Sequence, residues 1–499
     1  VQPLPLKKTL MQKKVLKLGG QMSFEVVIGL EVHAQLLTKT KIFCKCSSGF
    51  GAGDNENTCP TCTGMPGALP VLNRHAVDLS ILTGLALGCE VRENNVFSRK
   101  NYFYPDLPKG YQISQYDEPI CVNGKVTFLV DGKEMTVGIT RAHMEEDAGK
   151  STHHGGYSLV NLNRSSVPLL EIVSEPDMRN SKQAGEYLRN IRSILLYLGV
   201  CDGNMDEGSF RCDANVSIRP IGQKKFGTKV ELKNINSFRF VEKAIEFEIL
   251  RQTDLVEQGQ TISQETRLYD PDKNRTVSMR AKEDAHDYRY FPDPDLLPLK
   301  IDRAWVDEIK KQLPELPLQK LKRFVSQYAI PEYDAQILTL TRPMSEYYEE
   351  VASLSGNPKS ASNWVMGELL RVLNEQKKEI TEAPISAKAL ADIIASIDKG
   401  TISGKIAKTI FEHFITGKYK TETVDDVVAK EGLAQVTDTK AIEVVIDKII
   451  AASPSQLEQF RAGKDKLFGF FVGQVMKEMK GQGSPNIIND LLKKKLKGD

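Results

Sequence analysis

Long apolar runs are missing from this chain. No stretch approaches the roughly 18 consecutive apolar residues that a membrane-spanning helix requires, so membrane insertion is not expected. An excess of one charge is missing as well, because 67 basic and 65 acidic residues leave a formal net charge of only +2. So even a balance does not advertise nucleic-acid binding by the whole molecule, and any RNA contact must come from a local patch. Cysteine is sparse, 8 in 499 residues, and four of the eight fall between Cys44 and Cys62. That distribution favours metal ligation in a reduced, cytoplasmic compartment over a disulfide framework. Standard phosphate loops are absent too. Gly149-Lys150-Ser151 resembles the end of GxxxxGK[ST], but Met144 stands where the first glycine is required, and no GxGxxG lies between a strand and a helix. No internal repeat is present.

What is there reads as a folded protein of several domains. Hydrophobic residues at 40% and charged residues at 26% are ordinary globular usage. A length of 499 residues, at roughly 100–200 residues per domain, suggests about three domains. Residues 1–21 carry Lys7, Lys8, Lys13, Lys14 and Lys17 and no acid, and are expected to be a disordered extension. The lack of Arg and Ser there argues against an organelle-targeting peptide.

From Phe24 to about residue 300, short alternating runs separated by Gly, Asn, Pro and Asp predict strands of a mixed or antiparallel sheet. Helical spacing over 181–199 (Ala184, Tyr187, Leu188, Ile191, Leu195, Leu198) and over 239–258 (Phe240, Ala244, Phe247, Leu250) predicts two amphipathic covers for it. The run Phe291–Pro298 holds three prolines in eight residues and marks a boundary. Beyond it the pattern is helical, with stripes at Trp364, Met366, Leu369, Leu370, Leu373 and at Leu390, Ile393, Ile394, Ile397. A weaker break near Asp425 and Asp426 precedes a last set of short helices. The expected class is α+β: a sheet domain at 22–300, an all-α domain at 301–425 and a small helical tail at 426–499.

Two groups of residues carry chemistry. Cys44-Lys45-Cys46 and, twelve residues on, Cys59-Pro60-Thr61-Cys62 present two thiol pairs. Four thiolates fill a tetrahedral zinc shell, which predicts a closed, structural site; two unrelated thiol pairs or a redox CxxC are the alternatives. Cys89, Cys121, Cys201 and Cys212 are expected as small buried residues. The second group lies on strand faces. Alternation over Phe24, Val26, Ile28, Leu30 and Val32 leaves Glu31, His33 and Gln35 on the other side. Likewise Cys212, Ala214, Val216 and Ile218 oppose Arg211, Asp213, Asn215, Ser217 and Arg219, a row suited to phosphate. Val230 and Leu232 oppose Lys229, Glu231 and Lys233, while Glu145-Glu146-Asp147 adds three consecutive acids. Carboxylates gathered by a sheet suit Mg²⁺ carrying nucleotide phosphates, and neighbouring lysines would balance phosphoryl-transfer charge. Taken strand by strand, the solvated face of an antiparallel sheet is the alternative.

At this point longer stretches coincide with a known family. FEVVIGLEVHAQL at 24–36, NYFYPDLPKGYQISQYDEPI at 101–120 and NRSSVPLLEIVSEPD at 163–177 closely resemble the B subunit of aspartyl/glutamyl-tRNA amidotransferases, as do SFRCDANVSIRP at 209–220, VELKNINSF at 230–238 and FVGQVMKEMKGQGSPNIINDLL at 471–492. The resemblance runs from Phe24 to the C-terminus. It implies a cradle domain holding ATP and metal, a helical domain, and a YqeY-like tail that helps grip tRNA. It also implies a heterotrimer in which an amidase (glutaminase) partner delivers ammonia and a small third partner braces the assembly. The implied reaction phosphorylates the side-chain carboxylate of Glu-tRNA(Gln) or Asp-tRNA(Asn) with ATP and then amidates it.

By resemblance, Glu31, His33, Glu146 and Glu231 would hold Mg²⁺ (or Mn²⁺), with Glu145 adjacent. Asp213, Lys100, Tyr102 and Tyr104 would line the acceptor-end pocket or the ammonia entrance. Arg211, Lys229 and Lys233 stand as phosphate-side contacts. The four-cysteine cluster, present in some family members only, adds a structural Zn²⁺ without changing the chemistry. Residues 464–499 hold eight lysines and four acids, a candidate phosphate-tracking surface for the tRNA, with an ordinary soluble helix face as the alternative; Phe468, Phe470 and Phe471 are expected in the tail's core. Two rivals remain. A non-enzymatic zinc-bearing RNA-binding scaffold would tolerate Glu31→Gln or Glu231→Gln, and a metal-dependent hydrolase would turn over without ATP.

Overall fold

The computed structural model describes residues 24–281, 288–419, 422–436, 438–479 and 481–497. The expected extension at 1–21 lies outside the described residues. The chain divides into two compact units, the first ending at Leu318 and the second beginning at Gln319.

The first unit is built on a twelve-stranded mixed sheet. Its strands are β1 (Phe24–Gln35), β2 (Glu90–Val91), β3 (Ser98–Asn101), β4 (Tyr111–Ser114), β5 (Cys121–Val130), β6 (Lys133–Glu146), β7 (Pro168–Ser174), β8 (Phe210–Pro220), β9 (Val230–Lys233), β10 (Glu265–Asp270), β11 (Arg275–Ala281) and β12 (Phe291–Pro292). The order is β11-β10-β9-β8-β1-β7-β6-β4-β3-β12, with β5 on β6 and β2 on β5. Only β9 and β10 pair in parallel among these. β1 is therefore central, flanked by β7 and β8, which are distant from it in sequence.

Three helices cover one face: α1 (Arg74–Ala86), α2 (Ser181–Leu198) and α3 (Phe238–Glu257). Asn73, Asn180 and Ser237 cap their N-termini by accepting from backbone N–H groups, which supplies partners for donors that have none inside the helix. Gly199, at φ 66°, ends α2 in the left-handed conformation that glycine adopts without a Cβ clash. The buried apolar residues of β1, β6, β7 and β8 join Ala184, Leu188, Ile191, Val241 and Ile245 in one core beneath the sheet. Cys89, Cys121, Cys201 and Cys212 are all buried, as expected. With one face committed to that core, alternation turns the polar side chains of the same strands to the opposite face.

The described residues of the second unit are helical, and they hold two separate apolar clusters. One gathers Phe324, Tyr348, Leu369, Leu390, Ile394 and Phe411. The other gathers Ile442, Ile446, Phe471, Val475 and Leu492, with Phe468 and Phe470 packed against it. The expected stripe at Trp364–Leu373 is helical, but a π-helical turn runs over Trp364–Leu369 before the α-helix Leu370–Gln376.

Candidate functional site

Register converts the alternation of each strand into rows that run across the sheet. Glu31 lies opposite Asp213 on one side and Val173 on the other, and His33 lies opposite Arg211 and Glu171. Glu171 in turn lies opposite His143, and Leu169 opposite Glu145. On the far side Asn215 meets Glu231. Polar groups from residues 31 to 231 thereby share one floor, in a cavity of about 630 Å³.

The acids sort into two sets. Glu31, Asp213 and Glu231 offer carboxylate oxygens within 4.8 Å of one another, and so do His33, Glu145 and Glu171 with their own ligand atoms. In the first set Asn215 Nδ2 donates to Glu31 Oε1 at 2.9 Å. Lys233 Nζ donates to Asp213 Oδ2 at 2.7 Å and lies 3.1 Å from Glu231 Oε1, and Thr266 Oγ1 donates to Glu231 Oε2 at 2.7 Å. In the second set His33 Nε2 lies 3.3 Å from Glu171 and 3.8 Å from Glu145, and His143 Nε2 lies 3.5 Å from Glu171.

Five carboxylates (Glu31, Glu145, Glu171, Asp213, Glu231) face three permanent cations (Lys100, Arg141, Lys233) around the cavity. The surplus of negative charge shows in the protonation equilibria. Burial, then repulsion from Glu171 and Glu231, raises Glu31. Burial and Glu171 raise Glu145 to about 7. Burial would lower His33, but the hydrogen bond and charge of Glu171 lift it to about 9. Burial would raise Glu231, yet Lys233 holds it below the ordinary carboxylate value. Oxygen-rich, electron-rich and only partly balanced, both sets have the donor chemistry of a hard divalent cation site.

The structure does not gather all the expected residues here. Consecutive strand residues face opposite ways, so with Glu145 at the cavity, Glu146 faces away. There Lys109 Nζ pairs with it, Ser166 Oγ donates to it at 2.6 Å, and the Ile113 amide donates to it at 2.8 Å. On the cavity side the acids gathered with His33 are instead Glu145 and Glu171, the latter not singled out from the sequence. The signal for parity was present: Ala142 and Met144 are core residues, which assigns His143 and Glu145 to the other face.

The remaining expected residues surround the floor. Lys100 Nζ sits over the rings of Tyr288 at 5.0 Å and Tyr102 at 5.7 Å, and Tyr104 lines the cavity. Tyr102 instead lines an adjoining cavity of about 250 Å³ with Asp147 and Arg211, its hydroxyl donating to Gln112 Oε1 at 3.2 Å. Arg211 is paired with Asp147 at 3.0 Å. Lys229 is exposed beside a third, small cavity that reaches Glu31. Arg141, His143, Tyr116, Tyr288 and Tyr290 also line the main cavity and were not singled out from sequence.

The thiol pairs converge as their spacing implies. The ligand atoms of Cys44, Cys46, Cys59 and Cys62 all lie within 4.8 Å of one another, so the cluster can hold a metal ion. The fully buried Lys41 donates from Nζ to Cys62 Sγ at 3.6 Å and to the Leu162 carbonyl at 3.2 Å. A hydrogen bond from Cys44 brings the Cys62 thiol down to about 4. A buried ammonium beside sulfur is balanced when the sulfur is a thiolate, the form that ligates metal.

Among the described residues no helix is long and apolar enough to cross a membrane. The sequence model of the GatB/GatE catalytic domain family matches residues 26–307, the sheet and the floor just described, and the GatB domain model matches residues 346–496. The B subunit of the aspartyl/glutamyl-tRNA(Asn/Gln) amidotransferase of Bdellovibrio bacteriovorus is 60% identical over 476 residues, covering 95% of this chain and 99% of the relative. The protein of the same description from Syntrophotalea carbinolica is 58% identical over 478 residues, 95% of this chain and 99% of its own length. The chain belongs to the family of aspartyl/glutamyl-tRNA(Asn/Gln) amidotransferase B subunits.

Proposed function

We propose that the chain is the tRNA-dependent, ATP-using component of an amidotransferase complex, and that the carboxylate-lined cavity is where a misacylated tRNA is activated and amidated. The observation that carries this reading is the convergence of two carboxylate sets with Lys100, Arg141 and Lys233 on one floor. The substrate is the side-chain carboxylate of Glu-tRNA(Gln) or Asp-tRNA(Asn). Its oxygen attacks the γ-phosphorus of ATP; an acyl phosphate forms and ADP leaves with the broken P–O bond. Ammonia then attacks the carbonyl carbon, the bond to phosphate breaks, and nitrogen loses a proton as the amide forms. The activation is needed because oxide is a poor leaving group and phosphate a good one.

His33, Glu145 and Glu171, and Glu31, Asp213 and Glu231, are the proposed ligands of Mg²⁺ or Mn²⁺. A divalent cation held by these residues would supply charge neutralisation for phosphate oxygens. Lys233 and Arg141 add fixed positive charge for the transferring phosphoryl group, and Asn215 and Thr266 hold Glu31 and Glu231 in place. The four thiols are proposed to hold a structural Zn²⁺, with no part in the reaction. The proposed partners are an amidase (glutaminase) that supplies ammonia and a small third protein, the three forming a heterotrimer in the cytoplasm. In the tail, the exposed Lys493 and Lys494 support a phosphate contact; Lys480 and residues 498–499 lie outside the described residues. The proposed division of labour is cradle to Lys300, helical domain to Asp425 and tail from Asp426.

The test is ATP- and Mg²⁺-dependent conversion of Glu-tRNA(Gln) to Gln-tRNA(Gln) by the assembled complex, with ammonium as nitrogen donor. Glu31→Gln and Glu231→Gln are expected to lose conversion while retaining tRNA binding. Full activity in both would remove these carboxylates from the reaction, and turnover without ATP would replace the reading with a hydrolase.

A further inference from the structure

One wall of the main cavity is aromatic, and the proposed chemistry gives it no task. Tyr116 and Tyr290 stack with centroids 4.0 Å apart and planes at 7°. Tyr288 meets the edge of Tyr290 at 6.1 Å. Tyr116 lines the cavity and, although Tyr290 covers one ring face, the residue is 47% exposed. Large aromatic side chains left open inside a polar cavity forgo burial they would otherwise gain, unless something flat covers them.

A second, independent observation lies one residue earlier. Gln115 is 1% exposed. Its Oε1 accepts from the Ile120 amide at 3.2 Å and from the Met144 amide at 3.0 Å, which fixes the orientation of the side chain. Its Nε2 is buried with no partner in the protein, yet the residue lines the cavity. A buried donor left unpaired costs free energy, so a held, unpaired amide beside a binding cavity marks a place where a ligand supplies the acceptor.

A flat π-face next to a fixed N–H donor is the combination that recognises a nucleobase: the ring stacks and a ring nitrogen accepts. We propose that Tyr116, backed by Tyr290, is a stacking platform for an adenine base and that Gln115 Nε2 donates to that base. This rests on the amidotransferase reading, which brings two adenosines to the cavity, that of ATP and the 3′-terminal nucleoside that carries the amino acid on tRNA. The same chemistry serves either source.

The experiment measures dissociation constants on the assembled complex by calorimetry, for ATP, for tRNA, and for tRNA lacking its terminal adenosine. The variants are Tyr116→Leu, Tyr116→Phe and Gln115→Glu, the last keeping the acceptor for the Ile120 and Met144 amides while removing the donor. Loss of one stacked base weakens binding about tenfold. If the source is tRNA, Tyr116→Leu weakens intact tRNA about tenfold and leaves the truncated tRNA and ATP unchanged; if it is ATP, only ATP weakens. Tyr116→Phe retains the wild-type affinity in either case, and Gln115→Glu weakens the same ligand as Tyr116→Leu. Unchanged constants for both ligands in both Tyr116→Leu and Gln115→Glu would overturn the platform. Because binding is read directly, that failure is separate from failure of the reaction reading, which is an inactive wild-type complex.

Discussion

The molecule carries two kinds of cation-ready cluster, and they are built in opposite ways. The thiols come from one loop spanning Cys44 to Cys62, and all four reach one point. The carboxylates come from β1, β6, β7, β8 and β9, from Glu31 to Glu231, and with His33 they divide into two sets of three donors. Four protein ligands close a tetrahedral shell and leave no position for substrate. Three leave positions for water and phosphate oxygens. Charge follows the same division. The thiol cluster has a buried ammonium, Lys41, against it, whereas the cavity has more acids than cations around it. A closed and compensated cluster holds structure; an open and undercompensated one is prepared to take up charge from its ligands.

The largest test of that division separates Glu171 from Glu146, two buried or half-buried acids on opposite faces. Glu171→Gln is expected to lower amidation on the order of a hundredfold, the scale for losing one directed electrostatic partner of a reacting group, and to weaken Mn²⁺ binding in titrations. Glu146→Gln leaves Mn²⁺ binding intact and instead lowers the thermal midpoint, because Lys109 loses its buried counter-charge. If the two variants exchange phenotypes, the parity of β6 is misassigned and the floor has to be redrawn.

Neighbouring acids sharpen the comparison through pH. Burial would raise Asp147, but the Arg211 and Arg164 charges hold it below the ordinary value of 3.8. A depressed carboxyl contributes stability above its unfolded value and loses it as the pH falls through the folded one. Glu145 has the opposite sign: between 4.5 and about 7 the folded protein holds a proton that the unfolded chain has released, so this group's contribution falls as pH rises across that window. Chemical denaturation from pH 3 to 8 in chelator reads both. Asp147→Asn is expected to cost about 2 kcal/mol at neutral pH, the scale of a hydrogen bond to a charged group, and to flatten the acid limb. Glu145→Gln is expected to show no such fall between pH 4.5 and about 7, and Mn²⁺ is expected to offset the fall in wild type.

These residues also show what a sequence can and cannot say. The strand alternation placing Glu31 and His33 opposite the core was readable because Val26, Ile28, Leu30 and Val32 keep strict period. The two covering helices were readable from the spacing of Ala184, Leu188, Ile191 and Leu195 and of Phe240, Ala244 and Phe247, while their caps at Asn180 and Ser237 emerged only from the structure. Glu171 was hidden because its cavity-side neighbours are Leu169 and Val173, so the strand reads as one apolar run with a stray acid. That β1 lies between β7 and β8 is a fact of long-range pairing that no local pattern encodes. The tyrosine wall has the same origin, since Tyr116 and Tyr290 are 174 positions apart and meet only in the folded sheet.

The smallest expected effect concerns the closed cluster, and it tests whether compensation and ligation are linked. Lys41 is fully buried, and both of its acceptors, the Cys62 sulfur and the Leu162 carbonyl, lie at or next to the thiol loop. A zinc ion with four thiolates carries two net negative charges, so an ammonium in that position stabilises the loaded cluster and is poorly placed beside four neutral thiols. Lys41→Met keeps the length and the burial of the side chain and removes only the charge; replacing a buried charge by an apolar group of similar volume does not by itself unfold a protein. Zinc affinity, measured by competition with a chromophoric chelator, is expected to fall about tenfold, the lower end of the range for partners that orient metal ligands. Amidation by the zinc-loaded variant stays at the wild-type rate, because the thiol loop contributes nothing to the carboxylate floor. Unchanged zinc affinity would mean that the ammonium is held for the Leu162 carbonyl alone, and the contrast between a compensated and an undercompensated cluster would then rest on coordination number and not on charge.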